Sequence, residues 1–594
     1  MGLESPVKYS AIKNFYSARS FIGSLIRLRL KAKSDCSVLV LNRLYAASSR
    51  QGSNTVVAIG SASSLKPSNT NSNSTSTSTS ASTNSTVQSV PQLLQRNLST
   101  AADRNKYKTN SGEEETNKKM KNLVKNIAAA AVFFSGLILE ESYMVNRGKG
   151  VTRYDMAQLP SNNPIEDAKS EKIVQVPIID DKTNQEVNTD WMFWGVFDGH
   201  AGWNTSAKLK DELIDHVINQ LDEIYKFNPD RKLRIVPSSE TIDDAIKSGF
   251  LKLDDEIVNK SIEKLFNSTI DKTSVLNLLM PALSGSCGLL SFYDTHSKIL
   301  KVAVAGDSRA LLGSLNEDGS QWTVNQLSID QTGSNPEEVE RIKSEHPNEP
   351  NAIRNGRILG SLEPSRSFGD ARYKWSLDIQ LKVYNKFFGR KSPPNLESPP
   401  YVTAEPVITT TKIDESKNQF LVMASDGLYE MLTNEEIVGL VVRWTEKNKF
   451  FETNNRENII QTNNTSSSFV QNFKLSYFTG EDKKLPKVVD LTATPESSKQ
   501  AFRRTNTNQD FSYILEDNNV STHLIRNALS NGGSKEHCEM LSSIPSPLSR
   551  RYRDDLTVIV VFFGKDRETP NDEGRLEMNT KATNEKGGYI APKL

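Results

Sequence analysis

The chain has 594 residues, a net charge of +1, 36% hydrophobic content and three cysteines. Cys36, Cys287 and Cys538 are too few and too scattered for a disulfide-stapled scaffold or a cysteine-built zinc site. The near-neutral balance argues neither for nor against nucleic acid, and the length suits one large domain behind leader segments.

Residues 1–50 carry nine Lys or Arg against only Glu4 and Asp35, and Ser20–Lys33 can form a basic amphipathic helix. That is the pattern of a mitochondrial transit peptide. Residues 51–122, with the run Ser74–Ser80, are too polar to bury a core and are expected to be a disordered linker. Segment 123–141 holds an uncharged run of 14 residues, Asn126–Leu139, with Lys121 and Lys125 before it. A full span takes about 20 residues. The segment therefore reads either as a membrane anchor extended by snorkelling lysines or as a soluble helix. If inserted, its basic flank would stay in the matrix and the large domain after it would face the intermembrane space.

The catalytic region is expected over 142–565. Pro160-Ser-Asn-Asn-Pro-Ile-Glu166-Asp167 places an acidic pair after a turn, and the apolar run Trp191–Phe197 ends in Asp198-Gly199-His200. Glycine there lets the backbone approach a ligand closely and frees its carbonyl for coordination. Ile299–Ala305 and Ser308–Gly313 read as strands around the Gly306-Asp307 turn. Glu337–Glu345 reads as a charged surface helix with Pro336 in its first turn. A second apolar run, Phe420–Ala424, ends in Ser425-Asp426-Gly427, and Glu435–Trp444 reads as an apolar-faced helix. Residues 452–515 are a polar insertion expected to be largely disordered. Asp554-Asp555 then precede the β-branched run Leu556–Phe563, and 566–594 form a flexible tail. The terminal Pro592-Lys593-Leu594 is similar to a peroxisomal signal with Pro for Ser, and reads first as a chance match to a loose tripeptide and second as the address of a minor peroxisomal pool.

Carboxylates at strand ends, with hardly any histidine or cysteine nearby, suit hard cations with oxygen ligands such as Mg or Mn. His216, His296, His346, His523 and His537 show no ligand spacing. Trp191, Trp194 and Trp375 are expected to fill the core, and Arg309 and Arg366 to serve as structural ion-pair partners.

The motifs Glu166-Asp167, Asp198-Gly-His200, Ser284-Gly-Ser286, Gly306-Asp-Ser-Arg309, Ser365-Arg-Ser-Phe-Gly-Asp370, Asp426-Gly427 and Asp554-Asp555 stand in one order along the chain. In that order they resemble the signature of the metal-dependent type 2C serine/threonine protein phosphatases. Arg153-Tyr-Asp155, Gln158–Asp167, Arg366–Trp375, Pro400–Pro406 and Thr522–Leu529 are most similar to the pyruvate dehydrogenase phosphatase branch.

The resemblance implies an α+β fold, a four-layer α-β-β-α sandwich of two antiparallel sheets flanked by helices, with a bimetal cleft at one end. It implies that Asp198 bridges two Mg or Mn ions and that the Gly199 carbonyl ligates one of them. Asp426 and Asp554 would complete one metal's set, Glu166 would act on the other, and Asp307 and Glu430 would assist a weaker third ion. His200 would be the general acid, and no further cofactor or nucleic-acid partner is expected. The reaction would be hydrolysis of phosphoserine or phosphothreonine by a metal-activated water, on the pyruvate dehydrogenase α subunit. The alternatives are another mitochondrial or peroxisomal phosphoprotein, or a pseudophosphatase that only binds; intact Asp198, Asp426 and Asp554 argue against the last.

One position departs from the family pattern. Many members carry arginine four residues before the Glu166 position, where this chain has Asn162. An amide cannot form the charged bidentate fork. Phosphate affinity should then lean on metals and waters, and no other arginine is assigned to phosphate.

Overall fold

The computed structural model describes residues 138–584, apart from 146, 148, 181–182, 184, 226, 229–232, 235–236, 268–270, 452–483, 494–502, 505–511 and 565–575. The expected transit peptide, the linker, and all of segment 123–141 before Ile138 lie outside these residues. The last residues of that segment begin a β-strand, and among the described residues no helix is long and apolar enough to cross a membrane.

From the amino end, β1 (Leu139–Val145) and β2 (Val151–Leu159) form a hairpin, and β3 (Ala168–Asp180) and β4 (Gln185–Phe197) a longer one, followed by the two-residue β5 (Gly199–His200). Helices α1 (Asn204–Ile224), α2 (Ser239–Asp255) and α3 (Lys272–Leu283) lead to β6 (Gly285–Ser286), β7 (Gly288–Asp294), β8 (Ile299–Ala305), β9 (Arg309–Leu315) and β10 (Trp322–Gln326). Then come α4 (Pro336–Glu345), β11 (Phe368–Gly369), α5 (Leu377–Lys386), β12 (Val407–Lys412), β13 (Gln419–Ala424) and α6 (Asn434–Lys447). Last are β14 (Val488–Asp490), α7 (Val520–Leu529), β15 (Leu556–Phe563) and β16 (Leu576–Met578).

An eight-stranded sheet runs β14-β10-β9-β13-β15-β2-β1-β16, a five-stranded sheet runs β12-β8-β7-β4-β3, and a three-stranded ladder joins β11-β6-β5. Pairing is antiparallel except for β10 with β14, which corrects the expectation of purely antiparallel sheets. The fold is α+β.

The apolar runs are continuous rather than alternating because both faces of the central strands are covered. On β15, Val558, Val560 and Phe562 pack with Leu440 and Trp444 of α6 and Leu524 of α7. The alternate residues Ile559, Val561 and Phe563 pack with Met192 and Trp194 of β4 and Val302 of β8, across to the five-stranded sheet. The other face of β4, through Trp191 and Phe193, meets Leu213 and Val217 of α1 and Phe250 of α2. Trp375 joins this last cluster, so the three tryptophans fill the core as expected.

One expectation is corrected, and two segments expected to be flexible each contribute a short strand. Helix α4 starts where Pro336 predicts, capped by the Asn335 side chain, yet it is not wholly a surface helix. Its Glu338 is buried and accepts hydrogen bonds from Arg366, Arg341 and Ser365. Within 452–515, Val488–Asp490 forms β14 on the edge of the eight-stranded sheet, so part of that insertion is ordered by pairing. Within 566–594, Leu576–Met578 forms β16 against β1, and Asn584 N donates to the Glu140 carbonyl at 3.0 Å, so this stretch of the tail is fixed.

Candidate active site

Strand ends deliver the acids. Asp198 follows β4, Asp307 lies in the turn between β8 and β9, Asp426 opens a single helical turn after β13, and Asp554 stands two residues before β15. The first comes off the five-stranded sheet and the last two off the eight-stranded one, so the site forms where the ends of both sheets meet. One carboxylate oxygen each from Asp198, Asp307 and Asp426 lie within 4.8 Å of one another, and all three residues are half-buried.

Such crowding raises the energy of the ionised forms. Burial, then Asp426, Asp167 and Asp307, drive the Asp198 carboxyl well above the usual range. Burial and Asp426 push Asp307 up to about 7. Glu430 is also pushed up to about 7, by burial and Asp426, although Arg503 pairs with it at 2.6 Å. The donor set is all oxygen and repels itself. A hard divalent cation satisfies both properties, so these residues fit a Mg- or Mn-type ion.

Asp554 lies against Gly427. A Cβ on that glycine would stand 3.2 Å from the Asp554 Cβ and 2.3 Å from the Asp555 carbonyl oxygen, so glycine there lets the turn after β13 close on the backbone that carries Asp554. Asp554 also pairs with Arg550. Asp555, its partner in the sequence motif, has a different task. Its carboxylate accepts from the backbone N–H groups of Ser161, Asn162 and Glu166, which fixes the loop carrying Glu166. Asn162 Nδ2 in turn donates to Glu166 Oε2 at 2.7 Å. Burial raises the Glu166 carboxyl, with Arg550 opposing and Asp555 adding to the rise.

The three-stranded ladder explains two further motifs. Ser284-Gly-Ser286 supplies β6, which pairs with β5 on one side and β11 on the other. This brings Asp370 to His200, 170 residues away in sequence, with His200 Nε2 and Asp370 Oδ2 2.6 Å apart. Ser367 Oγ donates to the same Asp370 oxygen at 2.6 Å. Burial alone would depress the His200 imidazole, but Asp370 outweighs it and carries the group above its ordinary value. Asp370 itself is held below the usual carboxylate range, its burial outweighed by His200. The two groups thus favour each other's charged forms, the carboxylate lifting the imidazole and the imidazole lowering the carboxyl.

Sequence reasoning missed the roles of Asp370, Arg550 and Arg503. Asp370 ends the motif Ser365-Arg-Ser-Phe-Gly-Asp370, and its place after the glycine that closes a short strand is the available signal. The arginines gave none, since each acts through a contact made only in the folded chain. Arg309 and Arg366 are ion-pair partners as expected, Arg309 with Asp330 and Arg366 with Glu338 at 2.7 Å. His216 is gathered with Glu212 and Glu256 at a second cluster on α1 and its neighbour, where the sequence showed no ligand spacing. A cavity of about 320 Å³ opens beside Ala201, next to His200, with Met280, Leu283, Tyr384 and Arg372 among its walls.

Residues 169–468 match the family model described as protein phosphatase 2C. The chain belongs to the protein phosphatase 2C family. This phosphatase is 48% identical, over 75% of its length and 74% of the relative's, to the mitochondrial pyruvate dehydrogenase (acetyl-transferring) phosphatase 1 of Saccharomyces cerevisiae. It is 40% identical to a protein phosphatase 2C homolog of Schizosaccharomyces pombe, over 71% of this chain and 83% of that one. Identity to the phosphatase 1 of Homo sapiens that bears the same name is 31%, over 70% of this chain and 79% of the human one. It is a metal-dependent serine/threonine protein phosphatase.

Proposed function

We propose that this phosphatase removes phosphate from serine or threonine of pyruvate dehydrogenase, its α subunit, in mitochondria. The observation that carries the substrate is the 48% identity over three quarters of the chain to an enzyme named for that activity and that organelle. The acidic cluster at the sheet ends supports the chemistry.

Asp198, the Gly199 carbonyl, Asp426 and Asp554, with Glu166, would hold two Mg or Mn ions, and Asp307 with Glu430 a third. Ions held there would supply neutralisation of phosphoryl charge and a water made nucleophilic at neutral pH. His200 holds its proton on an imidazole raised by Asp370 and gives it to the leaving serine or threonine oxygen. Asp370, fixed by Ser367, keeps that ring in place. The cavity beside Ala201 offers apolar surface for polypeptide around the phosphorylated residue. The three hydrophobic clusters, one between the sheets and one outside each, support reading the fold as a four-layer α-β-β-α sandwich with the metal cleft at one end.

The test is Mn-dependent release of phosphate from phosphorylated pyruvate dehydrogenase, with other mitochondrial phosphoproteins as competitors. Activity on those proteins but not on pyruvate dehydrogenase would overturn the substrate while leaving the chemistry. Asp198→Asn is expected to abolish turnover, and normal activity in that variant would remove Asp198 from the site. Protease protection on intact and ruptured mitochondria decides the compartment. Survival after rupture supports the matrix, where the dehydrogenase substrate would be reached, and digestion on rupture supports an anchored enzyme facing the intermembrane space.

A further inference from the structure

Position 162 carries an amide, and a phosphate dianion still has to be gripped. A guanidinium is at hand on the short 3₁₀ turn Leu548–Arg551. That turn is clamped to the loop that carries Asn162. Ser549 is fully buried, and its hydroxyl donates to the carbonyl of Ser161, the residue before Asn162. Arg553, also fully buried, donates from Nη1 to the Pro160 carbonyl at 2.7 Å. Asp555 accepts from the backbone N–H groups of Ser161 and Asn162, closing the same joint from a third side.

Arg550 therefore stands on a rigid turn at the acidic cluster. It pairs with Asp554, four residues on, while its side chain remains 41% exposed. Its charge reaches across the site. Burial raises Glu166, Asp426 and Glu430, and Arg550 is among the cations that oppose the rise in each.

We propose that Arg550 is the residue that grips the substrate phosphate, supplying from the turn before Asp554 the guanidinium that position 162 lacks. The inference rests on the phosphatase reading. With divalent cations neutralising Asp554, the guanidinium exchanges a carboxylate for the phosphoryl oxygens. Both are paired oxygen acceptors that the planar fork fits in the same way.

The experiment uses the full chain as wild type, R550A, R550K and the double variant N162R/R550A. Calorimetry measures the affinity for Mn alone and then for inorganic phosphate on the Mn-loaded protein, and KM is measured on p-nitrophenyl phosphate. R550A is expected to weaken inorganic phosphate and raise KM by about tenfold or more, the scale of a lost charge-assisted pair. Its Mn affinity should match or exceed that of the wild type, because a cation has been removed from beside Asp554. R550K should fall between the two, and N162R should restore phosphate binding to R550A. Phosphate binding by R550A equal to wild type would overturn the proposal. So would a joint loss of Mn and phosphate, which would make Arg550 a structural partner of Asp554. Mn-dependent turnover of p-nitrophenyl phosphate by the wild type tests the phosphatase reading separately, whatever R550A does.

Discussion

An alanine at Gly285 would put its Cβ 2.1 Å from His200 Nε2 and 2.3 Å from Asp370 Oδ2, so the empty space of a glycine is where the imidazole and its carboxylate meet. Gly285→Ala is expected to part them. A positioned acid contributes about 10²–10⁴-fold, and kcat on a phosphoserine peptide should fall by about 10²-fold or more. The loss should be much smaller on p-nitrophenyl phosphate, whose leaving group departs with little need of a proton, and calorimetric Mn affinity should be retained. Equal losses on both substrates would point to general disruption. The sequence made Asp198, Asp426 and Asp554 legible because each sits at the end of an apolar run. Asp370 was legible as a motif and not as a partner, because a three-strand ladder, not local spacing, carries it to His200.

Among the elements, α7 holds the clearest pH-sensitive group. His523 is fully buried between α7 and α6; it shares a hydrogen bond with the Leu440 carbonyl at Nε2 and lies 3.2 Å from Asn527 Nδ2 at Nδ1. An N–H at Nε2 and a lone pair at Nδ1 satisfy both contacts in the neutral ring, leaving a second proton opposite an amide donor. Burial depresses this imidazole to about 4, against about 6.5 in an unfolded chain. A folded value below the unfolded one means the stability is complete above pH 6.5 and is lost as pH falls towards 4. Between pH 7 and pH 5 the loss should be about 2 kcal/mol. Urea unfolding at both pH values should show this in the wild type, and His523→Gln should flatten it. The long elements were legible because period and caps agree over many residues, as at α4 and α6. Strands β14 and β16 were not. Three residues are too few for an alternation signal, and what orders them is the open edge of a sheet already built.

For the molecule as a whole, the eight-stranded sheet ends in the chain's own late segment. Strand β16 covers β1, and the run after it is tied in: Asn519 Nδ2 donates to the Ala582 carbonyl at 3.1 Å, and Asn584 Nδ2 donates to the Ile138 carbonyl at 2.8 Å. Deleting residues 565–594 should therefore lower the thermal midpoint by a few degrees, read by a calorimetric scan. The clustered aspartates stand at the ends of other strands, so kcat of the folded fraction should stay near that of the full chain. The same edge sets how the catalytic unit answers a mechanical load. Ile138 and Asn584 leave it side by side, and β1 meets β16 through only three residue pairs, Tyr143 with Met578 to Val145 with Leu576. Force applied between these two exits would act as on a zip fastener, opening pairs in turn at low tension instead of shearing them together. The first detachable piece is the three-pair seam, while β2 holds β1 from Leu139 to Met144 and shares the load from the start.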